Sequence, residues 1–222
     1  MSGPPTWLAR LRARIRTLSW LKASGNALFL IVFFYLYLYI QRHPLFAVTQ
    51  IPATPIDEWI GFHPEALGLY LSLWVYTALP VALQPDRGAL IRFGCHIGLM
   101  CMVGLAIFLL WPTSVSDAVG QRAGTGGAFD AMYRVDTNGN ACPSLHVAAA
   151  LFSQIWLRAQ LREVGAPRGL RWASTLWCVG IIFSTLAIKQ HLLLDVLAGA
   201  LLGAVAGWWS VRRAGMDSPA VQ

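Results

Sequence analysis

Charged residues are scarce in this chain of 222 residues, of which only 12% are Asp, Glu, Lys or Arg while 56% are hydrophobic. An average soluble domain carries about 25% charged residues. Four windows have no charged residue at all: 23–40, 66–85, 93–116 and 172–188. Each approaches or exceeds the roughly 20 residues that a helix needs to cross a bilayer. The composition therefore excludes a soluble globular domain and predicts a membrane protein.

Cysteines are also few, and their spacing excludes the frameworks that are usually built from them. The chain has four, at Cys95, Cys101, Cys142 and Cys178. No two are spaced like a zinc-binding pair, so we interpret them as small apolar packing residues. The glycine-rich residues 124–127 lack the Lys-Ser/Thr that completes a P-loop. Neither a structural zinc site nor a nucleotide-binding loop is expected.

Six spans are predicted within one membrane domain over residues 23–213. They run over about 23–40, 66–85, 93–113, 143–162, 172–188 and 190–209. No small-residue cleavage site of a secretory signal follows the first span, which we therefore expect to remain as an anchor. A basic tail (1–22) precedes the domain and a short tail (214–222) follows it. The predicted fold class is an all-α membrane protein with six transmembrane helices.

Basic residues divide unequally between the two sides that six crossings define. Thirteen lie on the side that holds both termini: Arg10, Arg12, Arg14, Arg16, Lys22, Arg87, Arg92, Arg158, Arg162, Arg168, Arg171, Arg212 and Arg213. The other side has Arg42, Arg122, Arg134 and Lys189. The positive-inside rule makes the thirteen-residue side cytoplasmic, and it explains the net charge of +7 without nucleic acid as a partner.

Two long segments fall on the opposite, extracytoplasmic side. Residues 41–65 are rich in proline and carry Trp59, Phe62 and His63, which is typical of an interfacial cap. Residues 112–142 are longer than most connections between helices, which favours a functional or lid role.

Ionisable residues stand at the edge of two apolar stretches on that same side. One stretch begins with Ser144 and His146, and the other with His191 and Asp195. Such groups at membrane depth are costly and usually functional. Because His191 and Asp195 are four residues apart, on a helix they share a face, and the carboxylate can fix the tautomer of the imidazole. The sequence therefore predicts an active site at the extracytoplasmic face.

The starts of two spans are expected to form a phosphate site. Pro143 is expected to open the fourth span, since proline is favoured in the first turn of a helix. Lys189 and Gln190 are expected to open the sixth. Free N–H groups and the positive end of the dipole at each start attract a phosphate, and Ser144 adds a hydroxyl donor. Two helix starts would then converge on one anion.

The residue types predict covalent phosphoryl transfer. His191 has the profile of a nucleophile, because Asp195 can hold its other ring nitrogen and stabilise the positive charge that develops on the ring. His146 is the natural general acid for the leaving group and later the base for water. Lys189, with an arginine from the long loop, would neutralise the phosphate oxygens. No metal or other cofactor is required.

Two motifs resemble those of the type-2 phosphatidic acid phosphatase family, whose members share a phosphate site with the vanadium haloperoxidases. The family's Pro-Ser-(Gly/Leu)-His motif is matched by residues 143–146. Its Ser-Arg-x5-His-x3-Asp motif is matched at Ser184, His191 and Asp195, with Thr185 where arginine is usual. The resemblance implies an acid-phosphatase-type helical core and a lipid phosphate as the substrate.

The details look closest to one subgroup, which contains inositol phosphorylceramide synthase and many bacterial relatives. The leucine variant of the first motif and the Lys-Gln-His in the second carry this similarity, and Asp136 and Asn140 resemble the subgroup's approach to the first motif. The similarity covers roughly residues 90–210. It implies the inner membrane of a bacterium, with a periplasmic active site.

The family's Lys-x6-Arg-Pro motif, which clamps the phosphate, is absent. Its role must move to other residues, and the candidates in falling order are Arg134, Arg122 and Lys189. Ser144 and Ser184 complete the predicted phosphate-binding set. Ser184 has the alternative of a hydrogen bond within its own helix.

Three functions stay open at this point. The first is a lipid-phosphate phosphatase that hydrolyses a phosphate monoester or diphosphate lipid through a phosphohistidine. The second is a lipid phosphotransferase, in which an alcohol or a lipid replaces water as acceptor. The third is a non-catalytic lipid-binding or transport protein, against which the intact set of one serine, two histidines and one aspartate argues. The particular lipid and the oligomeric state stay open as well.

Overall fold

Helices form most of the chain, which the computed structural model describes over residues 6–115 and 139–216. The α-helices are α1 (Trp7–Arg16), α2 (Ser19–Arg42), α3 (Pro55–Ile60), α4 (Leu67–Leu71), α5 (Leu73–Ala82), α6 (Arg87–Leu110), α7 (Leu145–Glu163), α8 (Arg168–Ala187) and α9 (Leu193–Arg213). A 3-10 turn, Pro64–Ala66, leads into α4. Two short strands, β1 (Thr49–Ile51) and β2 (Thr113–Val115), pair in parallel.

Five helical stretches in the described part of the chain are long and apolar enough to cross a bilayer. They are Ser19–Arg42, Pro64–Ala82, Arg87–Leu110, Arg168–Ala187 and Leu193–Arg213, and each overlaps a predicted span. The remaining predicted span, 143–162, overlaps α7, which is not among the five. The mostly helical membrane architecture is therefore confirmed, while the sixth crossing stays a prediction.

The lower apolar content of α7 has a structural reason, because this helix lies among α5, α6, α8 and α9. Most of its side chains are buried, including two glutamines. Gln154 accepts hydrogen bonds from the hydroxyls of Tyr76 and Ser174, and Gln160 donates to the carbonyl of Pro80 (3.0 Å). Neighbouring helices thus satisfy part of its polar groups, while the hydroxyl of Ser153 and the Oε1 of Gln160 have no hydrogen-bond partner among the described residues.

Several helix starts differ from the predicted ones, because a charge-free window marks only the apolar part of a helix. Helix α6 begins at Arg87 rather than near residue 93, since Asp86 caps it by accepting from the N–H of Ala89 (2.8 Å). Such a cap satisfies an N–H group that has no partner within the helix. The first turn of α6 is therefore charged and lies outside the predicted span.

The predicted basic tail also contains an ordered element. Helix α1 pairs with the end of α7 through Arg14 and Glu163 (2.8 Å). The ammonium of Lys22, buried in the first turn of α2, donates to the carbonyl of Arg14 (2.6 Å) and to that of Ala82 at the end of α5 (2.8 Å). These contacts fix the tail against the bundle.

The starts of α7 and α9 meet at one end of the bundle, which we call the motif end. The N–H of Ser144, just before α7, donates to the carbonyl of Asp195 in the first turn of α9 (3.0 Å). Gly104, in the second half of α6, lies against Leu145, so that α6 ends there too. The fold thereby brings together two motifs that are far apart in the sequence.

A seam of glycines holds α7 and α9 close together. Gly199, Gly203 and Gly207 recur at every fourth position of α9, on the face that packs against α7. A Cβ at Gly199 would overlap the carbonyl of Ser144, and one at Gly203 would overlap that of Ala148. Small residues at this spacing let helix backbones approach closely in membranes. The seam sets the contact between the two motif-bearing helix starts.

The segment predicted as a cap packs on the motif end. The N–H of His63 donates to the carbonyl of Ala187 at the end of α8 (2.8 Å). Strand β1, which lies in this segment, pairs with β2 just after α6. This short pair is an addition to the mostly helical fold that was predicted, and its two extended segments over the motif end satisfy each other's backbone groups.

Candidate active site

His146 is the second residue of α7 and is held between aromatic rings. Its imidazole stacks on Tyr70 from α4, with ring centroids 4.6 Å apart and planes at 25°. The ring of Trp74 approaches it edge-on at 5.8 Å. The sequence did not indicate either aromatic residue, because their partner lies about 75 positions further along the chain. Together they limit the orientations that the His146 ring can adopt.

Ser144 caps α7 instead of lying within its first turn. The residue is extended, and its hydroxyl oxygen accepts from the N–H of Val147 (3.3 Å). The expectation that Pro143 opens the helix is therefore wrong, since α7 begins two residues later, at Leu145. The hydroxyl of Ser144 keeps its proton for donation to a ligand, and the cap places it next to the turn that carries His146.

His191 and Asp195 are close together, although they do not share a helix face as predicted. His191 lies in the turn before α9, and Asp195 is the third residue of that helix. The Nδ1 of His191 is 3.9 Å from the Oδ2 of Asp195, which is longer than a hydrogen bond. That same Oδ2 accepts from the N–H of Leu192 (2.9 Å). Catalytic hydrogen bonds are often long in an unliganded site and shorten when substrate binds.

Three buried polar atoms at this place have no hydrogen-bond partner among the described residues. They are the Nδ1 of His191, the Oδ1 of Asp195 and the Nε2 of Gln190. All three residues are at most 5% exposed. Such atoms are rare in proteins, and their concentration here is typical of a site that is completed by a ligand.

The two motif histidines lie next to each other. The ring centroids of His146 and His191 are 5.7 Å apart, and the ring planes are inclined at 54°. At this separation, both imidazoles can reach one phosphoryl group that is placed between them. This is the juxtaposition on which the predicted phosphoryl transfer depends.

Lys189 is buried at the motif end but does not open α9, contrary to the expectation for it and for Gln190. It lies in the turn before the helix, with a positive φ of 58°. Its ammonium donates to the backbone carbonyl of Asp57 in α3. The side chain is therefore anchored by the cap segment, and its charge lies within the part of the structure that holds both histidines.

Asp57 is the main site residue that our reading of the sequence missed. It is 1% exposed, and its Oδ1 accepts from the N–H of Leu193, the first residue of α9 (2.9 Å). Its Oδ2 accepts from the backbone and hydroxyl of Thr54 (2.8 Å each). The Thr-x-x-Asp spacing is a signature of a capping box and could have indicated the start of α3. It gives no sign of the contact with α9.

The start of α9 is consequently occupied by carboxylates. The N–H of Leu192 donates to Asp195 and that of Leu193 donates to Asp57. These two N–H groups are therefore not offered to a phosphate, and the expectation that two helix starts converge on one anion is wrong in this respect. The α9 start instead fixes Asp195 beside His191.

Of the other predicted phosphate-binding residues, only Ser184 lies within the described part of the chain. The hydroxyl of Ser184 donates to the carbonyl of Ile181 within α8 (2.6 Å), which is the alternative considered from the sequence. Thr185, at the position where arginine is usual, accepts at its carbonyl from the N–H of His191 (3.2 Å). Arg134 and Arg122 lie outside the described residues.

The segment before Ser144 is held from two sides. The amide of Asn140 donates to the carbonyl of Tyr37 in α2 (3.0 Å), and the N–H of Cys142 donates to the hydroxyl of Thr113 in β2 (2.9 Å). Burial, with the nearby charge of Asp195, raises the pKa of the Cys142 thiol to about 11. Cys142 is therefore protonated at neutral pH and does not compete with His191 as a nucleophile.

Comparison with known proteins agrees with the resemblance seen in the motifs. The model of the PAP2 superfamily matches residues 111–217, a range that contains both motifs and α7, α8 and α9. No curated protein and no solved structure matches the chain. The part of the chain that carries both motifs, residues 111–217, belongs to the PAP2 superfamily.

Proposed function

We propose that the protein is an integral membrane lipid-phosphate phosphatase that acts through a phosphohistidine at His191. The observation that carries the proposal is the 5.7 Å separation of the His146 and His191 rings, with Asp195 beside the second ring. Membership of the PAP2 superfamily supports an enzyme of the phosphatase or phosphotransferase type.

In the first step, the Nε2 of His191 attacks phosphorus. The Nδ1 of the same ring faces Asp195, which stabilises the positive charge that develops on the imidazole. As the nitrogen–phosphorus bond forms, the bond from phosphorus to the lipid oxygen breaks. His146 gives its proton to that oxygen, so that a lipid alcohol, or a lipid monophosphate from a diphosphate substrate, departs.

In the second step, water replaces the leaving group. His146, now neutral, takes a proton from the water as its oxygen attacks the phosphorus of the phosphohistidine. The nitrogen–phosphorus bond breaks, inorganic phosphate is released, and the ring of His191 returns to its neutral form beside Asp195. General acid and base steps of this kind are typically worth 10²–10⁴-fold in rate.

The phosphate oxygens are neutralised by side chains, so the proposal requires no metal. Lys189 contributes its charge from the turn before α9, and Ser144 contributes a hydroxyl donor from the start of α7. Arg134 and Arg122 complete the proposed set, whereas Ser184 is left out because its hydroxyl donates within α8. Positive groups aimed at the phosphoryl oxygens stabilise charge in the transition state.

The proposed setting is a six-span protein of a bacterial plasma membrane, with both termini in the cytoplasm. It is supported by the thirteen basic residues on the side that holds the termini and by the positive-inside rule. The motif end then faces the extracytoplasmic surface, where the headgroups of outer-leaflet lipids lie.

The experiment is a phosphate-release assay on the purified protein with a panel of lipid phosphates and no added acceptor. The wild type and His43→Ala are expected to release phosphate, while His191→Ala releases none. His43 is a matched control because it is exposed and contacts Tyr39 rather than the site. Turnover by His191→Ala would contradict the mechanism.

A phosphotransferase would use the same site with an alcohol in place of water. In that case, the wild type would release phosphate only slowly and would form a new phosphate ester when an alcohol or a lipid acceptor is added. A non-catalytic lipid-binding or transport protein would form neither product under any of these conditions.

A further inference from the structure

A cavity of about 420 Å³ lies between α2, α5, α6 and α7. Its walls are mainly apolar and include Phe29, Phe33, Leu73, Ile97 and Ala149. The volume is within the range of small-molecule binding sites.

The cavity is long and runs along the helices. On α2 its lining extends from Leu21 to Tyr37, which is about 24 Å at the helical rise of 1.5 Å per residue. Lys22 and Arg87 line the end away from the motifs. Such a shape fits an extended hydrocarbon chain that lies parallel to the helices.

His146 lines the cavity, whereas His191 is not among the described residues that do so. The ring of His146 therefore lies between the cavity and the proposed nucleophile. The position of His146 on the cavity side fits its proposed role as the acid for the leaving group. In phosphoryl transfer, the attacking and leaving atoms are roughly in line on opposite sides of phosphorus, and His146 protonates the leaving oxygen in the proposed mechanism.

We infer that the cavity holds the hydrocarbon tail of the leaving lipid alcohol. The inference rests on the proposed function and adds the place where the hydrocarbon chain of the substrate binds, between α2, α5, α6 and α7. The leaving oxygen lies at His146, and the chain attached to it continues into the cavity toward Lys22 and Arg87. The depth of the cavity then selects substrates by chain length.

Gly94 gives direct access to this cavity. It lines the wall on α6, and a Cβ at this position would meet nothing within 4 Å. It lies ten residues, about 15 Å at the helical rise, from Gly104, which packs against Leu145 next to His146. A leucine at position 94 would therefore fill the middle of the cavity without touching the catalytic residues. Leucine also favours a helix more than glycine does.

Gly25 offers the same test from the opposite wall. It lines the cavity on α2, and a Cβ there would also meet open space. Because Phe29 contacts Gly98, the residues one turn earlier, Gly25 and Gly94, lie at a similar depth. Gly169 is the control, since it is exposed near the start of α8 and has open space around its Cβ.

The experiment compares kcat/KM for hexadecyl phosphate and butyl phosphate in the same detergent micelles, for the wild type, Gly94→Leu, Gly25→Leu and Gly169→Leu. A butyl chain is too short to reach Gly94. The ratio of hexadecyl to butyl activity is expected to fall at least about tenfold in Gly94→Leu and in Gly25→Leu, the effect of displacing two methylene groups. Gly169→Leu is expected to keep the wild-type ratio.

The possible failures are distinguishable. If the wild type hydrolyses both phosphates and the two cavity variants keep its ratio, the tail site is wrong while the proposed phosphatase stands. If the wild type hydrolyses neither phosphate, the proposed function is wrong and the inference falls with it. Should one cavity variant fail to fold, the other gives the same test from the facing helix.

Discussion

At the scale of single residues, the proposed chemistry depends on the carboxylate of Asp195 beside the imidazole of His191. Asp195 is fully buried, its Oδ2 is held by the N–H of Leu192, and its Oδ1 has no hydrogen-bond partner among the described residues. The backbone contact fixes the carboxylate, and the carboxylate in turn can orient the ring of His191. In the proposed mechanism, this buried carboxylate stabilises the charge on the His191 ring, and its burial excludes a surface ion pair.

Asp195→Asn tests the negative charge of Asp195 separately from its role in capping α9. An asparagine oxygen can still accept from the N–H of Leu192, so the start of α9 is expected to remain folded. The phosphatase rate is expected to fall about 10⁴-fold, as when an aspartate that orients a catalytic histidine is replaced by asparagine. Steady-state phosphate release and a thermal melt check both parts. A variant with the wild-type rate would remove Asp195 from the mechanism.

The loss of rate in His146→Ala is expected to be larger for a leaving group of higher pKa, because such a group must be protonated as it departs. His146→Ala should slow release of an alkyl alcohol about 10²–10⁴-fold. With nitrophenyl phosphate, whose nitrophenolate leaves without a proton, a rapid burst of one nitrophenolate per enzyme should persist. Rapid-quench kinetics measures that burst. Equal slowing of the first step for both substrates would show that His146 is not the general acid.

The sequence is informative about residues that act locally and silent about those that act across the fold. His146, His191 and Asp195 could be proposed from the sequence because each lies within a short motif. Asp57 could not, because its role arises from a contact with Leu193, 136 positions away. Tyr70 and Trp74 were missed for the same reason.

At the scale of elements, the cap segment and the α9 start form one unit. Asp57 accepts from Leu193, and Lys189 donates back to the carbonyl of Asp57. Helix α3 thereby holds both the first residue of α9 and the proposed phosphate-binding lysine. The position of the second motif depends on a helix of six residues that lies far earlier in the chain.

Asp57→Ala is expected to loosen this unit. The N–H of Leu193 would lose its buried acceptor, which costs about 1–3 kcal/mol. Lys189 would keep its acceptor, because alanine retains the backbone carbonyl. Both the melting temperature and kcat should fall. Glu58→Ala is the control, because Glu58 is the exposed neighbour on the same helix. An Asp57→Ala protein with the stability and rate of the control would contradict the positioning role.

The positions of the spans along the chain were more predictable than the residues at which the helices begin and end. Long charge-free windows are enough to indicate a span, and all four of them coincide with helices of sufficient length and apolarity. The ends depend on caps such as Asp86 and Ser144. The turn that carries Lys189 and His191 was predicted as helix because both residues adjoin an apolar run, and periodicity does not reveal such a turn.

At the scale of the whole molecule, the two ends of the bundle have different characters. One end carries the motifs and the cap, and the other carries the buried Lys22, the Arg14–Glu163 pair and most of the described basic residues. The proposed tail cavity extends between them. This polarity is what a lipid phosphatase needs if the headgroup is processed at one membrane face while the tail stays within the bilayer.

The polarity predicts the orientation in the membrane. A cysteine introduced in the cap by Leu45→Cys, at a residue that is 64% exposed, should react with a membrane-impermeant maleimide in intact cells. The variant is made with Cys95→Ala, because Cys95 is the exposed native thiol in the described residues. Met216→Cys, at the opposite end, should react only after lysis. The reverse pattern would place the motif end in the cytoplasm.

The most direct measurement is capture of the phosphoenzyme. Wild-type protein is mixed with a lipid phosphate labelled in its phosphoryl group, quenched in alkali during turnover, digested and mapped by mass spectrometry. We predict a base-stable, acid-labile phosphoryl group on His191. In His146→Ala it should accumulate further when nitrophenyl phosphate is the substrate, because nitrophenolate leaves without a proton while water attack lacks its base. A phosphoryl group on Ser144 or His146, or phosphate release by the wild type without any trapped intermediate, would contradict nucleophilic catalysis by His191.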